Sequence, residues 1–408
     1  MSRIFRDRLG ETLNEGDAVV LFSGTAPKST ADAQYTFLPN KNFFYFTGLT
    51  NEHFIVLMHK TKQTFEVTLF IEKPDYDIEK WIGRKLTKET ASEISGIESI
   101  KYLDEFESSI NRLIFDDKIR KLYLDLEKLS WDEPHSRALK FAGEVRERYP
   151  FVTLKTLHPI VSDMRTIKEP FEIKQIREAI KLTDEGLRAI LSVLKPEVME
   201  YQLEATFAHA IRMGGADGNS FPTIAASGGD AVILHYVENS KAVSDGDLVL
   251  LDLGAQFKQY AADITRTYPA SGKFSDRQKQ IYNIVLRAQQ ATIDVMKPGT
   301  PFEALNKACR ASLTKDLMEI GLIKSEDELG KYYYHGVSHY LGLDVHDIGS
   351  REVLLKPGMV LTVEPGLYIA EENIGIRIED DILITENGNE NLSAKIPKTV
   401  EEIEHLMV

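Results

Sequence analysis

Apolar residues recur along this chain at two different periods, and the change from one to the other divides it. Before about residue 160, DAVVLFSG (17–24), HFIVLMHK (53–60), TFEVTLFIE (64–72) and KLYLDLE (121–127) are β-branched or alternate apolar with polar positions, which predicts strands. HSRALKFAGEVRERY (135–149) reads as a helix, so residues 1–160 are expected to form a smaller α/β domain. HPIVSDMRTIKEP (158–170) has a proline near each end and little periodicity, and the domain junction is placed there. After Pro170 the period becomes helical. FEIKQIREAIKLTDEGLRAILSVLK carries Ile173, Ile176, Ile180, Leu187, Ile190, Leu191 and Leu194 at helical spacing and stops at Lys195-Pro196.

A second long helical pattern, DRQKQIYNIVLRAQQATIDVMK, stops at Lys297-Pro298. Each is followed by another helical stretch, a histidine-bearing segment, a turn and an apolar strand that ends in an acid: DGDLVLLD and KPGMVLTVE. The spacing from Gly246 to Asp252 equals that from Gly358 to Glu364, so 161–408 reads as a diverged internal duplication. Both strands continue into a hairpin-like pattern: Asp252 and Asp263 lie symmetrically about Phe257 and Lys258, and Glu364 and Glu379 about Glu371 and Glu372. If these centres are turns, each acid pair faces across its strands at roughly 5 Å between Cβ atoms.

Opposed carboxylates on apolar strands are destabilising unless a proton or a cation neutralises them. Four acids converging from two halves carry more charge than a proton balances, and two divalent ions would balance it. HGVSHYLGLDVHD (335–347) adds His335, His339 and His346, and His339 supplies a nitrogen ligand. His335 and His339 have the i, i+4 spacing of a helical metal motif, yet Gly336 and Gly342 argue against a regular helix there. Strand parity alone leaves Glu379 and Asp381 as alternatives, since both share a face.

Composition narrows the chemistry further. The only cysteine, Cys309, excludes an internal disulfide and a thiolate metal site, so ligands must be oxygen and nitrogen. A net charge of −14 without a Lys/Arg cluster argues against nucleic acid as a partner. No apolar run is long enough to span a bilayer, and MSRIFRDRLGETLNEGD has no hydrophobic signal core; no membrane partner and a cytoplasmic location are expected.

SFPTIAASGGDAVILHY, LLDLGAQFKQYAADITRTYP, HGVSHYLGLDVHDIG, VLTVEPGLY and GIRIEDDILIT resemble the motifs of the aminopeptidase P and prolidase family, from about residue 160 to the end. KNFFYFTGL (41–49) and WIGRKL (81–86) are similar to the N-terminal domain of bacterial aminopeptidase P. The resemblance implies an α/β (α+β) chain whose C-terminal catalytic domain has the pita-bread fold. It implies Asp252, Asp263, His339, Glu364 and Glu379 as ligands of two divalent ions, with Asp263 and Glu379 bridging. Manganese is expected from the oxygen-rich set, with cobalt or zinc as alternatives. The implied reaction is hydrolysis of an N-terminal Xaa-Pro bond by a hydroxide shared between the ions, with Glu364 moving the proton.

The resemblance further implies that His235 and His346 contact substrate and stabilise the tetrahedral intermediate. Arg377 stands behind the metal ligands. His335, Tyr368 and Phe221 are candidates for an apolar slot that takes the proline ring. Trp81 is a candidate to reach a neighbouring subunit in a homodimer or homotetramer, and the first domain is expected to limit access and aid assembly. A prolidase restricted to dipeptides is the rival activity, but it needs a basic group for the free carboxylate, and Arg377 is the only arginine or lysine between Glu364 and Glu379. A methionine aminopeptidase would not need the first 160 residues. A non-catalytic peptide-binding relative or a creatinase-like hydrolase would lack metal ligands that are complete here.

Overall fold

The structure, a computed structural model, describes residues 2–407; the Ile82 side chain of the WIGRKL segment lies outside what is described. The chain forms two compact units, which divide between Met164 and Arg165. In the first, helix α1 (Arg3–Thr12) precedes strand β1 (Asp17–Phe22), and α2 (Lys41–Thr47) precedes β2 (Ile55–Lys60) and β3 (Phe65–Ile71). Then follow α3 (Tyr76–Ile82), α4 (Lys88–Ser95), β4 (Ser99–Tyr102), α5 (Phe106–Phe115), β5 (Lys121–Leu124), α6 (Arg137–Arg148) and β6 (Thr153–Thr156). The strands form one mixed sheet in the order β4-β3-β2-β1-β5-β6.

β1 is central and buried along its whole length, as a continuous apolar run requires when both faces are covered. Phe106, Ile110 and Ile114 of α5 and Phe141 and Val145 of α6 recur at helical spacing and pack on Val20, Phe22 and Leu57 of the sheet. The segment with little periodicity is helical after all: α7 covers His158–Thr166. Pro159 is compatible with this because it sits in the first turn, where a missing N–H breaks no helical bond.

In the second unit α8 (Pro170–Leu191) and α9 (Glu200–Met213) pack together, as do α10 (Asp276–Val295) and α11 (Glu303–Glu319). Between the pairs lie β7 (Gly218–Asn219), β8 (Ile224–Ser227), β9 (Leu248–Leu253), β10 (Ala255–Phe257), β11 (Tyr260–Ala261) and β12 (Ile264–Pro269). After them lie β13 (Val360–Val363), β14 (Gly366–Ile369), β15 (Ile374–Arg377), β16 (Asp380–Thr385), β17 (Gly388–Asn391) and α12 (Val400–Leu406). Each half therefore repeats a helix pair and a two-tier hairpin. The outer tiers are β9/β12 and β13/β16, and the inner tiers are β10/β11 and β14/β15. No helix among the described residues is long and apolar enough to cross a membrane.

The start of α8 is fastened to the first hairpin by a buried acid. Glu172 accepts hydrogen bonds from the Tyr260 hydroxyl at 3.0 Å and from the Glu169 backbone N–H at 2.8 Å. Burial pushes its carboxyl up to about 7, against the pull of those bonds and of Lys168. A pKa raised in the folded state favours folding while the group is protonated, and that contribution is lost as pH rises from the unfolded value through about 7. Glu172→Gln removes this titration. The variant should therefore gain up to about 3 kcal/mol on the native chain between pH 5 and pH 8, read from matched denaturation series. A pH-independent difference would contradict the assignment.

Candidate metal centre

The acids reach their places through strand register. In the second hairpin Val363 pairs with Asp380 in the outer tier and Gly366 with Arg377 in the inner tier. The same register sets Glu364 opposite Glu379, at the break between tiers, as the symmetric reading expects. At the break each strand bonds elsewhere: the Glu364 N–H donates to Val337 O at 2.9 Å, and the Glu379 N–H to Thr265 O at 3.0 Å.

The first hairpin departs from the expected symmetry. Asp252 pairs with Thr265, and the inner tier pairs Phe257 with Tyr260, so Asp252 and Asp263 are diagonal neighbours and not directly opposed. The turn is centred on Lys258 and Gln259, both with positive φ, one residue beyond the expected centre. A shift of the centre by one residue moves the register by two, so both acids still share a face. Gly254 stands between β9 and β10, where a Cβ would collide with Ala262 O and Ser220 Oγ.

The two hairpins cross through β12. Thr265 Oγ1 donates to Glu379 Oε2 at 2.7 Å, and the Asp263 N–H donates to Asp381 Oδ2 at 3.2 Å. Oxygens of Asp263 and Glu379 and a ring nitrogen of His339 come within 4.8 Å of one another. His339 Nε2 is 3.3 Å from Asp263 Oδ2 and 3.6 Å from Glu364 Oε1. Its other nitrogen faces Tyr340 O at 2.9 Å, which sets Nδ1 as the donor and leaves Nε2 free to ligate.

Burial, followed by the charges of Asp252, Asp381 and Glu364, raises the Asp263 carboxyl well above its ordinary range. Burial and then Asp263, Glu364 and Asp252 do the same to Glu379, and burial raises Glu364. One oxygen of Asp252 and one of Asp381 are buried without a hydrogen-bond partner among the described residues. A nest of mutually repelling buried carboxylates with unused lone pairs and an available imidazole nitrogen fits divalent cations. Asp381 joins the nest electrostatically, but its Oδ2 is spent on the Asp263 N–H, whereas Glu379 belongs to the tight ligand group.

Arg377 lies behind this group. Its guanidinium donates to Asp252 Oδ2 at 2.5 Å, to Thr265 Oγ1 at 3.2 Å and to the Tyr368 hydroxyl at 3.0 Å. The Tyr368 hydroxyl is in turn 2.8 Å from His335 Nε2, while His335 Nδ1 faces Gly336 O at 2.8 Å. The polarity follows: His335 donates from Nδ1 and accepts the tyrosine proton at Nε2. Burial, with Arg377 next, lowers His335 to about 4, in keeping with a neutral ring.

His346 stands more open, its ring edge-on to His339 with centroids 4.3 Å apart. Burial, then His339 and His235, lowers its pKa. His235 is exposed and within electrostatic reach of both His335 and His346. Phe221 is half-buried in the loop between β7 and β8, and Tyr368 is buried in a cluster with Ile224, Ala226, Ala231 and Tyr236. Sequence reading missed Thr265, which bonds Glu379 and Arg377, and Thr362, whose Oγ1 accepts the His339 N–H at 3.2 Å. Both sit one pleat from an acid, and neither has any charge to draw attention to it.

Comparison with known proteins places this geometry in context. Residues 174–386 match the model of metallopeptidase family M24, and residues 4–123 match that of the aminopeptidase P N-terminal domain. The Xaa-Pro aminopeptidase of Escherichia coli K12 is 36% identical over 99% of this chain and 96% of its own length. A candidate aminopeptidase P structure from Bacillus anthracis superposes with a TM-score of 0.97 at 48% identity, covering 100% of this chain and 97% of that one. E. coli aminopeptidase P with the inhibitor Pro-Leu gives a TM-score of 0.91 at 34% identity, covering 100% and 97%. With its pita-bread domain, its N-terminal domain and its buried Asp/His/Glu group, the chain belongs to metallopeptidase family M24.

Proposed function

We propose that the protein is an Xaa-Pro aminopeptidase, which removes the residue preceding a proline at the second position of a peptide. The observation that carries this is the buried, under-neutralised group of Asp263, His339 and Glu379 in a chain collinear with Xaa-Pro aminopeptidases through both domains. Asp252 and Glu364 complete the ligand set for two divalent ions, of which manganese suits the oxygen-rich donors. When bound, such ions polarise a carbonyl and bring the pKa of a water toward neutrality.

The chain's own residues do the remainder. Glu364 accepts a proton from the attacking water and returns it to the departing proline nitrogen. His346 and His235, both exposed, donate hydrogen bonds to the oxygen that gains charge as the carbonyl becomes tetrahedral. Arg377 fixes Asp252 through its 2.5 Å bond and holds Tyr368, whose hydroxyl donates to His335 Nε2. A bond to proline offers no N–H, so an apolar wall made by Tyr368, His335 and Phe221 suits its ring.

Assembly and access belong to the first domain in this reading. Trp81 is 88% exposed and Tyr76 on the same helix 76%, an unusual exposure for large aromatic side chains unless a second copy covers them. The oligomer is a homodimer or homotetramer. A cytoplasmic site of action accords with the single, buried Cys309.

The manganese-loaded protein should cleave Xaa-Pro-Yaa peptides after the first residue and lose that activity to a chelator; Xaa-Ala-Yaa controls should resist. A preference for Xaa-Pro dipeptides over longer peptides would favour a prolidase, and turnover unaffected by metal removal would exclude both. Asp263→Asn should lose metal, because an amide cannot replace the charge of a ligand carboxylate. His346→Ala should keep its metal and lose on the order of a hundredfold in kcat, as removal of one oxyanion donor does; metal analysis beside kinetics separates the two. Trp81→Ala should shift sedimentation toward smaller species with metal content unchanged, whereas an unaltered sedimentation profile would remove Trp81 from the interface.

A further inference from the structure

His346 is held in place by its neighbour and not by its own ring. Among the described residues no side chain or backbone group hydrogen-bonds its imidazole, which only rests against His339. The segment that carries it has no regular secondary structure apart from isolated bridges of Tyr340 to Asp347 and to Leu361. The next residue, Asp347, points the other way, and its side chain is 1% exposed.

The Asp347 carboxylate is gripped on both oxygens. Arg165 and the Ile348 N–H, the latter at 3.0 Å, bond Oδ1, and Lys168 Nζ lies 3.2 Å from Oδ2. Both cations are buried almost completely, and Arg165 also reaches Asp344 Oδ2 at 2.7 Å, so one guanidinium ties the segment at two points. Gly342 closes over the carboxylate, since any Cβ there would collide with Asp347 Oδ2. The Asp347 N–H donates to Tyr340 O at 2.9 Å, the same carbonyl that faces His339 Nδ1. One backbone oxygen thus sets both the ring of the metal-ligand histidine and the segment that presents His346.

We infer that Asp347, clamped by Arg165 and Lys168, is the positioning residue that fixes where His346 stands. The kinetic consequence rests on the Xaa-Pro aminopeptidase reading; the structural one does not. Asp347→Asn keeps the shape and weakens the grip. It should lower kcat on Xaa-Pro-Yaa peptides roughly ten- to hundredfold with KM and metal content near native, as loss of an outer partner does. In a His346→Ala background the same change should alter kcat by less than about twofold, because residues that act through one another are not additive. Histidine-labelled NMR gives a second readout: the ring signal assigned to His346 by its absence in His346→Ala should move or broaden in Asp347→Asn.

If the excess positive charge prevents Asp347→Asn from folding, Lys168→Met/Asp347→Asn removes one charge of each sign and leaves Arg165 with Asp344. Equal losses in both backgrounds, or an unmoved His346 signal, would overturn the inference. A native protein inactive on every Xaa-Pro peptide would instead defeat the functional reading, and the NMR result would still decide the role of Asp347.

Discussion

Repulsion among buried carboxylates is the constraint around which the second domain is built. Asp252, Asp263 and Glu379 are buried, and Glu364 leaves only 18% of its side chain exposed. Water cannot screen them, and an isolated ion in such a place costs several kcal/mol even after relaxation. The apolar strands that carry them leave no alternative route to solvent. Two hairpins hold these acids against one another only because backbone register and the crossing at Thr265 leave them no freedom to separate.

The surrounding charges sort the buried acids into two kinds. Asp380 has Arg266 at 2.7 Å and Lys398 at 2.6 Å, and these cations outweigh its burial and hold it at about 2. Asp347, with Arg165 and Lys168, is likewise held below the ordinary range although buried. Asp263, Glu364 and Glu379 have no such dedicated cation among the described residues, and burial raises all of them. A fold that supplies arginine and lysine to neighbouring acids and withholds them from these has left that charge for something else to neutralise. Arg377 fits the pattern as the single exception inside the group, since it takes one oxygen of Asp252 and leaves the other without a partner.

Much of this was legible in the sequence, and the failures have physical causes. Helical spacing before Lys195-Pro196 and Lys297-Pro298 placed the long helices, and symmetry about Glu371 and Glu372 placed Glu364 opposite Glu379. The first hairpin misled because its turn residues, Lys258 and Gln259, adopt positive φ without the glycine or asparagine that would announce it. Face assignment survived because the resulting shift in register was even. In the first domain, α1 to α5 escaped notice because they are short and lie beside more conspicuous strands. The clamp on Asp347 was beyond reach for another reason: Arg165 and Lys168 stand some 180 positions upstream, and nothing local in DVHD indicates a buried acid.

The histidine segment shows why a site of this kind can use irregular backbone. A strand or helix would impose one side-chain period, yet His335, His339 and His346 need three different surroundings. His335 is closed in by Tyr368 and kept neutral, His339 is turned toward the acids by Tyr340 O, and His346 is left with an open edge. Gly336 and Gly342, which weigh against a helix here, permit that departure. An irregular segment would ordinarily surrender precision for this freedom. Here the loss is offset from outside, by backbone bonds of Glu364 to Val337 and of Thr362 to His339 on one side and by the Asp347 ion cluster on the other. Precision in the open histidine therefore comes from charges it never touches, placed where solvent cannot weaken them.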